Sequence, residues 1–190
     1  LAILKNKSIN KKKKSHRFSH IGSYFNSFFH ESLSFELTGA QKKVMKEIRK
    51  DLLSGFQMNR LIQGDVGSGK TIIAVMSFMI CVDNGFQGCL MVPTEVLAFQ
   101  HYKSLISFCF KTDLKIALIT GSTKLSEKKQ ILSDLENGKI NIIIGTHALI
   151  QPNVKFKKLG LVIIDEQHKF GVVQRAKLSK KGFMAPHIMI

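Results

Sequence analysis

Short, mostly apolar runs recur along this chain, separated by longer stretches with helical spacing. Leu61 to Val66, Gly88 to Val92, Ile116 to Ile119, Ile140 to Ile144 and Leu161 to Ile164 each read as a strand, and Ile188 to Ile190 begins one more. Residues 70–82 and 95–109, and a more polar stretch over 126–136, read as helices between them. Ahead of the first strand, Thr38 reads as a helix N-cap with Gln41 three residues on, in the manner of a capping box. Val44, Met45, Ile48, Leu52 and Leu53 then repeat at helical spacing, and Gly55 follows as a stop. Strands that are apolar throughout, with no alternation, belong to a parallel sheet buried on both faces. The pattern predicts an α/β fold, mostly parallel sheet with helices on both faces. In such sheets ligands gather at the carboxyl ends of the strands. The polar stretches of chemical interest all fall there: residues 64–71, then Pro93-Thr94-Glu95, Thr120-Gly121-Ser122, Gly145-Thr146-His147, and Asp165-Glu166.

The first of these, Gly64, Asp65, Val66, Gly67, Ser68, Gly69, Lys70 and Thr71, fits G-x-x-x-x-G-K-[ST], a loop whose backbone N–H groups cradle phosphates. It stands between a strand and a helix, so the helix N-terminus adds its dipole at the same point. Lys70 would reach the β- and γ-phosphates, and the Thr71 hydroxyl would ligate Mg²⁺. Leu161 to Ile164 followed by Asp165 and Glu166 has the form of a Walker B strand. There Asp165 would hold Mg²⁺ and Glu166 would orient and deprotonate a water. Each motif has a bland counterpart, a glycine-rich turn or a helix cap. Their joint presence in one parallel-sheet domain favours an enzyme that hydrolyses ATP with water. Gln41 stays open between a plain cap and an adenine contact.

Charge adds a partner. Against 29 Lys and Arg stand 13 Asp and Glu, a formal net charge of +16, which suits a polyanion such as nucleic acid and equally a solvated basic surface. The three cysteines, Cys81, Cys89 and Cys109, form no pair motif and read as reduced thiols of a cytoplasmic protein. The longest apolar run, Ile72 to Val82, is too short to span a bilayer. Residues 1–30 lack acidic side chains and hold the basic block Lys11 to Lys14, so they read as a linker or arm, disordered or DNA-contacting. The aromatics Tyr24, Phe25, Phe28 and Phe29 suit docking of that linker better than stacking on bases. Leu1 and the apolar end at Ile190 read as the cut edges of a longer protein.

The loop 64–71, Pro93 to Tyr102, Thr120 to Ser122, Gly145 to Gln151 and Asp165 to Leu178 together closely resemble the RecG family of bacterial ATP-dependent DNA helicases, in superfamily two. The resemblance covers roughly residues 31–190. It implies a RecA-like P-loop NTPase lobe, the first of two motor lobes, with residues 1–30 as the end of the connection from an N-terminal wedge domain. It implies ATP and Mg²⁺ as cofactors, branched DNA (replication forks and recombination intermediates) as partner, and no membrane. Carried over by residue, Phe35, Leu37, Thr38 and Gln41 match an adenine-reading motif. Gly67, Gly69, Lys70 and Thr71 match the phosphate and Mg²⁺ site. Asp165 and Glu166 match the metal ligand and catalytic base, while Gln167 and His168 match residues that couple nucleotide state to DNA grip. Pro93, Thr94, Glu95, Thr120, Gly121, Ser122, Gly145, Thr146 and His147 match DNA-facing motifs. Lys169 departs from the arginine common in the family, and the chain stops before the family's Ser-Ala-Thr motif. An arginine finger from the second lobe is worth roughly 10³–10⁵ in rate, so the isolated lobe is expected to hydrolyse ATP very slowly. A DNA-binding ATP switch without processive unwinding, or a non-catalytic truncated remnant, fits the same residues.

Overall fold

The computed structural model describes residues 13–33, 35–65, 67–171, 177–178 and 180–190, and residues 2–5 as backbone. Val66 and the stretch 172–176, both singled out above, lie outside the described residues, as do Lys11 and Lys12 of the basic block. Seven strands form one sheet in the order β1-β2-β7-β6-β3-β5-β4. They are β1 (Ala2–Lys5), β2 (Asn59–Gln63), β3 (Gln87–Met91), β4 (Ile116–Ile119), β5 (Ile142–Gly145), β6 (Leu159–Ile164) and β7 (His187–Met189). From β2 to β4 every neighbouring pair is parallel, and β1 adds one antiparallel edge strand with Ala2 opposite Gln63.

The chain enters through α1 (Ser23–Ser27) and a π-helical turn at Phe28–Ser32, then forms α2 (Gly39–Leu52), α3 (Lys70–Asp83), α4 (Glu95–Phe108) and α5 (Leu125–Glu136). Connections that run rightward along the sheet, β2 to β3 and β3 to β4, put α3 and α4 on one face. The leftward step from β4 to β5 puts α5 on the other, as right-handed crossovers require. The apolar strands serve both layers by alternation. Leu90, Ile142, Ile144, Leu161 and Ile163 join one core with α2 and α3. Cys89, Met91, Ile143, Val162 and Ile164 join the second with Leu135 of α5. Helix α3 is buried nearly all round, which explains its unbroken apolar sequence. All three cysteines are free and buried, and burial pushes their thiols up.

The segment after Lys13, which reads as a linker, packs onto this body. Ser15, Phe18 and Gln57 form backbone bonds that tie it to the end of α2. Phe18 and Phe28 are buried, and Phe28 meets Phe108 edge-on at 5.9 Å. The Asp83 carboxylate, at the end of α3, accepts the backbone N–H groups of Gly22, Tyr24 and Phe25 at 2.9, 3.1 and 3.0 Å. An acceptor from another helix thus caps α1, which has no side-chain cap of its own.

His187 fastens β7 to the same segment. Its Nδ1 accepts the Met58 N–H at 3.0 Å and its Nε2 donates to the His16 carbonyl at 2.8 Å, so the ring is neutral and fully satisfied. Burial, ahead of the His16 bond that opposes it, lowers its pKa to about 4. The unfolded chain takes up this proton near pH 6.5 and the folded chain near 4, so the contribution is whole above about pH 6.5 and is lost as pH falls towards 4. The slope is about 1.4 kcal/mol per pH unit. The stability gap between the wild type and His187→Gln, from urea unfolding, is therefore expected to narrow by about 2 kcal/mol between pH 7 and pH 5. A gap constant over that range would assign the titration to another group.

Candidate functional site

Strand β2 ends at Gln63 and α3 begins at Lys70, so Gly64 to Gly69 form the loop between them. Gly69, the N-cap of α3, has φ +82°, in the left-handed region open to glycine. A Cβ there would also run into the Gln41 side-chain amide. No side chain caps the start of α3, and its first turn holds no acid. Its N–H groups and positive dipole end are thus left to an anion. The Lys70 ammonium donates to the carbonyls of Gly64 and Asp65 at 2.6 and 2.9 Å, which holds it over the loop. The Ser68 hydroxyl is buried and meets no hydrogen-bond partner among the described residues.

Gln41 does form the capping box: Thr38 N–H donates to its Oε1 at 2.8 Å, and its own N–H donates to Thr38 Oγ1 at 3.2 Å. Its Nε2 reaches further and donates to the Ser68 carbonyl at 3.1 Å. The glutamine therefore ties the start of α2 to the loop before α3. Of its neighbours, Leu37 is buried and Phe35 is exposed.

Asp165 and Glu166 follow β6 directly. Asp165 N–H donates to Met91 O at 3.0 Å, and its carboxylate has His101 Nε2 2.9 Å from Oδ2. That bond, outweighing burial and helped by the charges of His101 and Lys70, lowers the Asp165 pKa and keeps the group ionised. Glu166 has φ 52° and ψ 49°, and among the described residues no other non-glycine has positive φ. This conformation costs about 1–2 kcal/mol. Bonds on either side hold it, from Glu166 N–H to Asp165 Oδ1 at 3.0 Å and from Lys169 N–H to Glu166 O at 2.9 Å. His168 Nε2 lies 3.4 Å from Glu166 Oε2.

Lys70, Thr71, Asp165 and Glu166 line one cleft of about 880 Å³, together with Gln167 and His168. An uncapped helix start, a cation and a hydroxyl on one wall, with an ionised carboxylate on the other, suit a nucleotide polyphosphate carrying a divalent cation. Phe35, Leu37, Thr38 and Gln41 are not among the residues lining it.

A second cleft of about 380 Å³ opens at the ends of β3, β4 and β5. It brings together Pro93, Thr94, Glu95, Gly121, Thr146 and His147. Thr94 caps α4, and Glu95 holds the neighbouring turn: its carboxylate accepts Ser122 N–H at 3.1 Å and Ser122 Oγ–H at 2.6 Å, which lowers its pKa. Thr120 and Ser122 bond each other, at 3.0 Å between hydroxyls, behind this cleft. Gly145 is required by packing, since a Cβ there would strike the Ile119 carbonyl across β4 and β5.

Two side chains in these clefts, Lys128 and His101, receive no role from the motifs. Lys128 lines the second cleft beside Gln151, whose Oε1 accepts from Lys128 Nζ at 3.0 Å. The i, i+4 spacing of Lys124 and Lys128 on a helix is the signal that could have found the lysine. His101 lies seven residues after Thr94, two helical turns along the same face of α4.

The family model for DEAD/DEAH box helicases matches residues 38–186. This chain belongs to the DEAD/DEAH box helicase family. Among curated members of this helicase family, it is 52% identical over 159 residues to the ATP-dependent DNA helicase RecG of Thermotoga maritima, covering 84% of this chain and 20% of that protein. It is 54% identical over 151 residues to RecG of Bacillus subtilis, covering 80% of this chain and 22% of that one. Among solved structures, RecG bound to a three-way DNA junction superposes with a TM-score of 0.82 at 46% identity, over 93% of this chain and 23% of that one. The chain thus spans about a fifth of the length of the relatives it matches. No helix among the described residues is long and apolar enough to cross a membrane.

Proposed function

We propose that this chain is the first motor lobe of a RecG-like ATP-dependent DNA helicase or translocase that acts on branched DNA, at replication forks and recombination intermediates, in DNA repair and recombination. The observation that carries the reading is the single cleft where Lys70 and Thr71 face Asp165 and Glu166. The names of the relatives, and the junction DNA on the solved neighbour, support it. A second RecA-like lobe and a wedge domain of the same polypeptide would complete the machine, working on DNA in the cytoplasm.

In this reading Lys70 binds the β- and γ-phosphates of ATP, and the Thr71 hydroxyl and Asp165 hold Mg²⁺. When bound, Mg²⁺ offsets the phosphate charge that grows during transfer. Glu166 orients the attacking water and takes its proton. Phe35, Leu37, Thr38 and Gln41 set the adenine end, and Gln41 links that end to the phosphate loop through Ser68. Gln167 and His168 relay nucleotide state from the acid pair to the DNA side. There the hydroxyls and backbone N–H groups of the turns after β3, β4 and β5 take DNA phosphates without reading bases.

The test is ATP hydrolysis by the full-length protein with and without DNA. Turnover is expected to rise more with forked DNA than with linear duplex. Turnover indifferent to DNA would move the protein to another class of ATPase. Lys70→Ala should weaken nucleotide binding about 10- to 100-fold, since a hydrogen bond to a charged group contributes about 1.5–3 kcal/mol, and should remove ATP-dependent unwinding. Unwinding at the wild-type rate by that variant would sink the assignment.

A further inference from the structure

Asp165 is gripped from three directions, and two of them come from outside its own motif. Its backbone N–H is tied to Met91 O at the end of β3. Its Oδ1 accepts the N–H of Glu166 at 3.0 Å. Its Oδ2 stands 2.9 Å from Nε2 of His101, on α4, and that ring also lines the nucleotide cleft. A carboxylate has about four lone-pair sites. With one bond on each oxygen, its rotamer is fixed and a lone pair of each oxygen stays open. Helix α4 itself follows β3, the strand that pairs with β6 along its length. The two bonds to Asp165 therefore come from one rigid unit, β3 with α4.

We infer that His101 is a positioning residue that holds the Asp165 carboxylate with its open lone pairs towards the cleft, ready for a divalent cation. It acts through Asp165, to which its imidazole is bonded. The inference rests on the reading of Asp165 as the Mg²⁺ ligand. Hydrogen-bond partners behind a metal ligand raise metal affinity about 10- to 100-fold, and that is the scale expected here. It also gives α4 a second task. Its first turn, capped by Thr94, forms part of the proposed DNA cleft, and its second turn orients the metal ligand, so one rigid helix borders both clefts.

The experiment uses the full-length protein and a fluorescent ATP analogue, with binding titrated against Mg²⁺ and, separately, measured in chelator. His101→Ala is expected to raise the half-saturating Mg²⁺ about 10- to 100-fold and to leave metal-free binding unchanged. His101→Gln carries its amide near the position of Nε2 and should restore most of the affinity. His101→Asn carries its amide near Nδ1, too short to reach, and should behave like alanine. The Gln and Asn pair keeps the test valid if the alanine variant folds poorly, which thermal melting would reveal. Equal Mg²⁺ requirements in Gln and Asn variants would overturn the inference. So would a lower requirement in His101→Ala, which would make the imidazole a competitor of the metal. Asp165→Asn serves as control: a wild-type Mg²⁺ dependence in that variant would overturn the metal reading of Asp165 itself, and the inference with it.

Discussion

Glu166→Gln in the full-length protein is expected to lower DNA-stimulated ATP hydrolysis about 10²- to 10⁴-fold, the usual contribution of a positioned general base. Nucleotide affinity should stay within about threefold of wild type, because the amide keeps the size of the side chain and Lys70, Thr71 and Asp165 are untouched. The side chain is half-exposed on the cleft wall, where it can meet a water. Its backbone supports the assignment independently. A left-handed conformation at a glutamate is unfavourable, and such strain persists where surrounding bonds impose it, most often at functional sites. Here the bonds of Glu166 N–H to Asp165 and of Lys169 N–H to the Glu166 carbonyl impose it. The strained turn carries the carboxylate off the end of β6, away from the path a continued strand would take. Single-turnover hydrolysis, with nucleotide binding measured alongside, gives the comparison. A variant within tenfold of wild-type turnover would move the base elsewhere, with His168, 3.4 Å from the carboxylate, the nearest candidate.

Much of this architecture was legible because the same property fixed both pattern and position. A strand covered on both faces has to be apolar throughout, so β3, β5 and β6 stand out in the sequence, and the parallel sheet puts their polar ends on one edge. The turn between β2 and α3 was legible because its glycines and Lys70 are set by local geometry. What stayed hidden depends on backbone groups or on distant partners. The expected first strand, Leu61 to Val66, instead runs from Asn59 to Gln63: its polar start is set by backbone pairing with β7, which leaves no apolar signal. Strand β1 pairs with β2 through the backbone of four residues, which leaves no periodic trace. Docking of the segment after Lys13 was half legible: its aromatic cluster pointed to it and Phe28 is buried, while the buried Phe18 and the three backbone N–H groups aimed at Asp83 left no signal. His101 and Asp165 are 64 residues apart, and no spacing rule connects them. Gln41 was half legible: the cap is local, while the bond to Ser68 spans 27 residues.

Arg60→Ala is expected to cost about 3–5 kcal/mol of folding stability, the range found when one partner of a buried ion pair is removed. The side chain, on the second residue of β2, is only 2% exposed. Its Nε donates to Asp51 Oδ2 at 2.5 Å and its Nη1 to Glu47 Oε2 at 2.9 Å, both on α2 and one turn apart. Burial works against the guanidinium charge, and these two bonds more than offset it, raising the pKa. Without the arginine, two like charges are left a turn apart over a cavity. Because Glu47 and Asp51 are 39% and 29% exposed, water can reach them, so the lower end of the range applies. For a domain of this size each 1 kcal/mol moves Tm by about 2–4 °C, and a drop of roughly 6–12 °C follows. Arg60→Lys keeps the charge but loses the planar fork that serves two carboxylates at once, so it should fall between. The consequence reaches the nucleotide cleft. The Arg60 carbonyl accepts from Ile190 and aligns β2 beside β7, while its side chain pins β2 to α2, whose first turn holds the phosphate loop through Gln41 and Ser68. The variant should therefore lose nucleotide affinity as well as stability, and the affinity should return on cooling well below its Tm. A melting curve for Arg60→Ala within a degree of wild type would mean that the triad is structurally idle. Normal stability with weak nucleotide binding would make it a functional strut and nothing more.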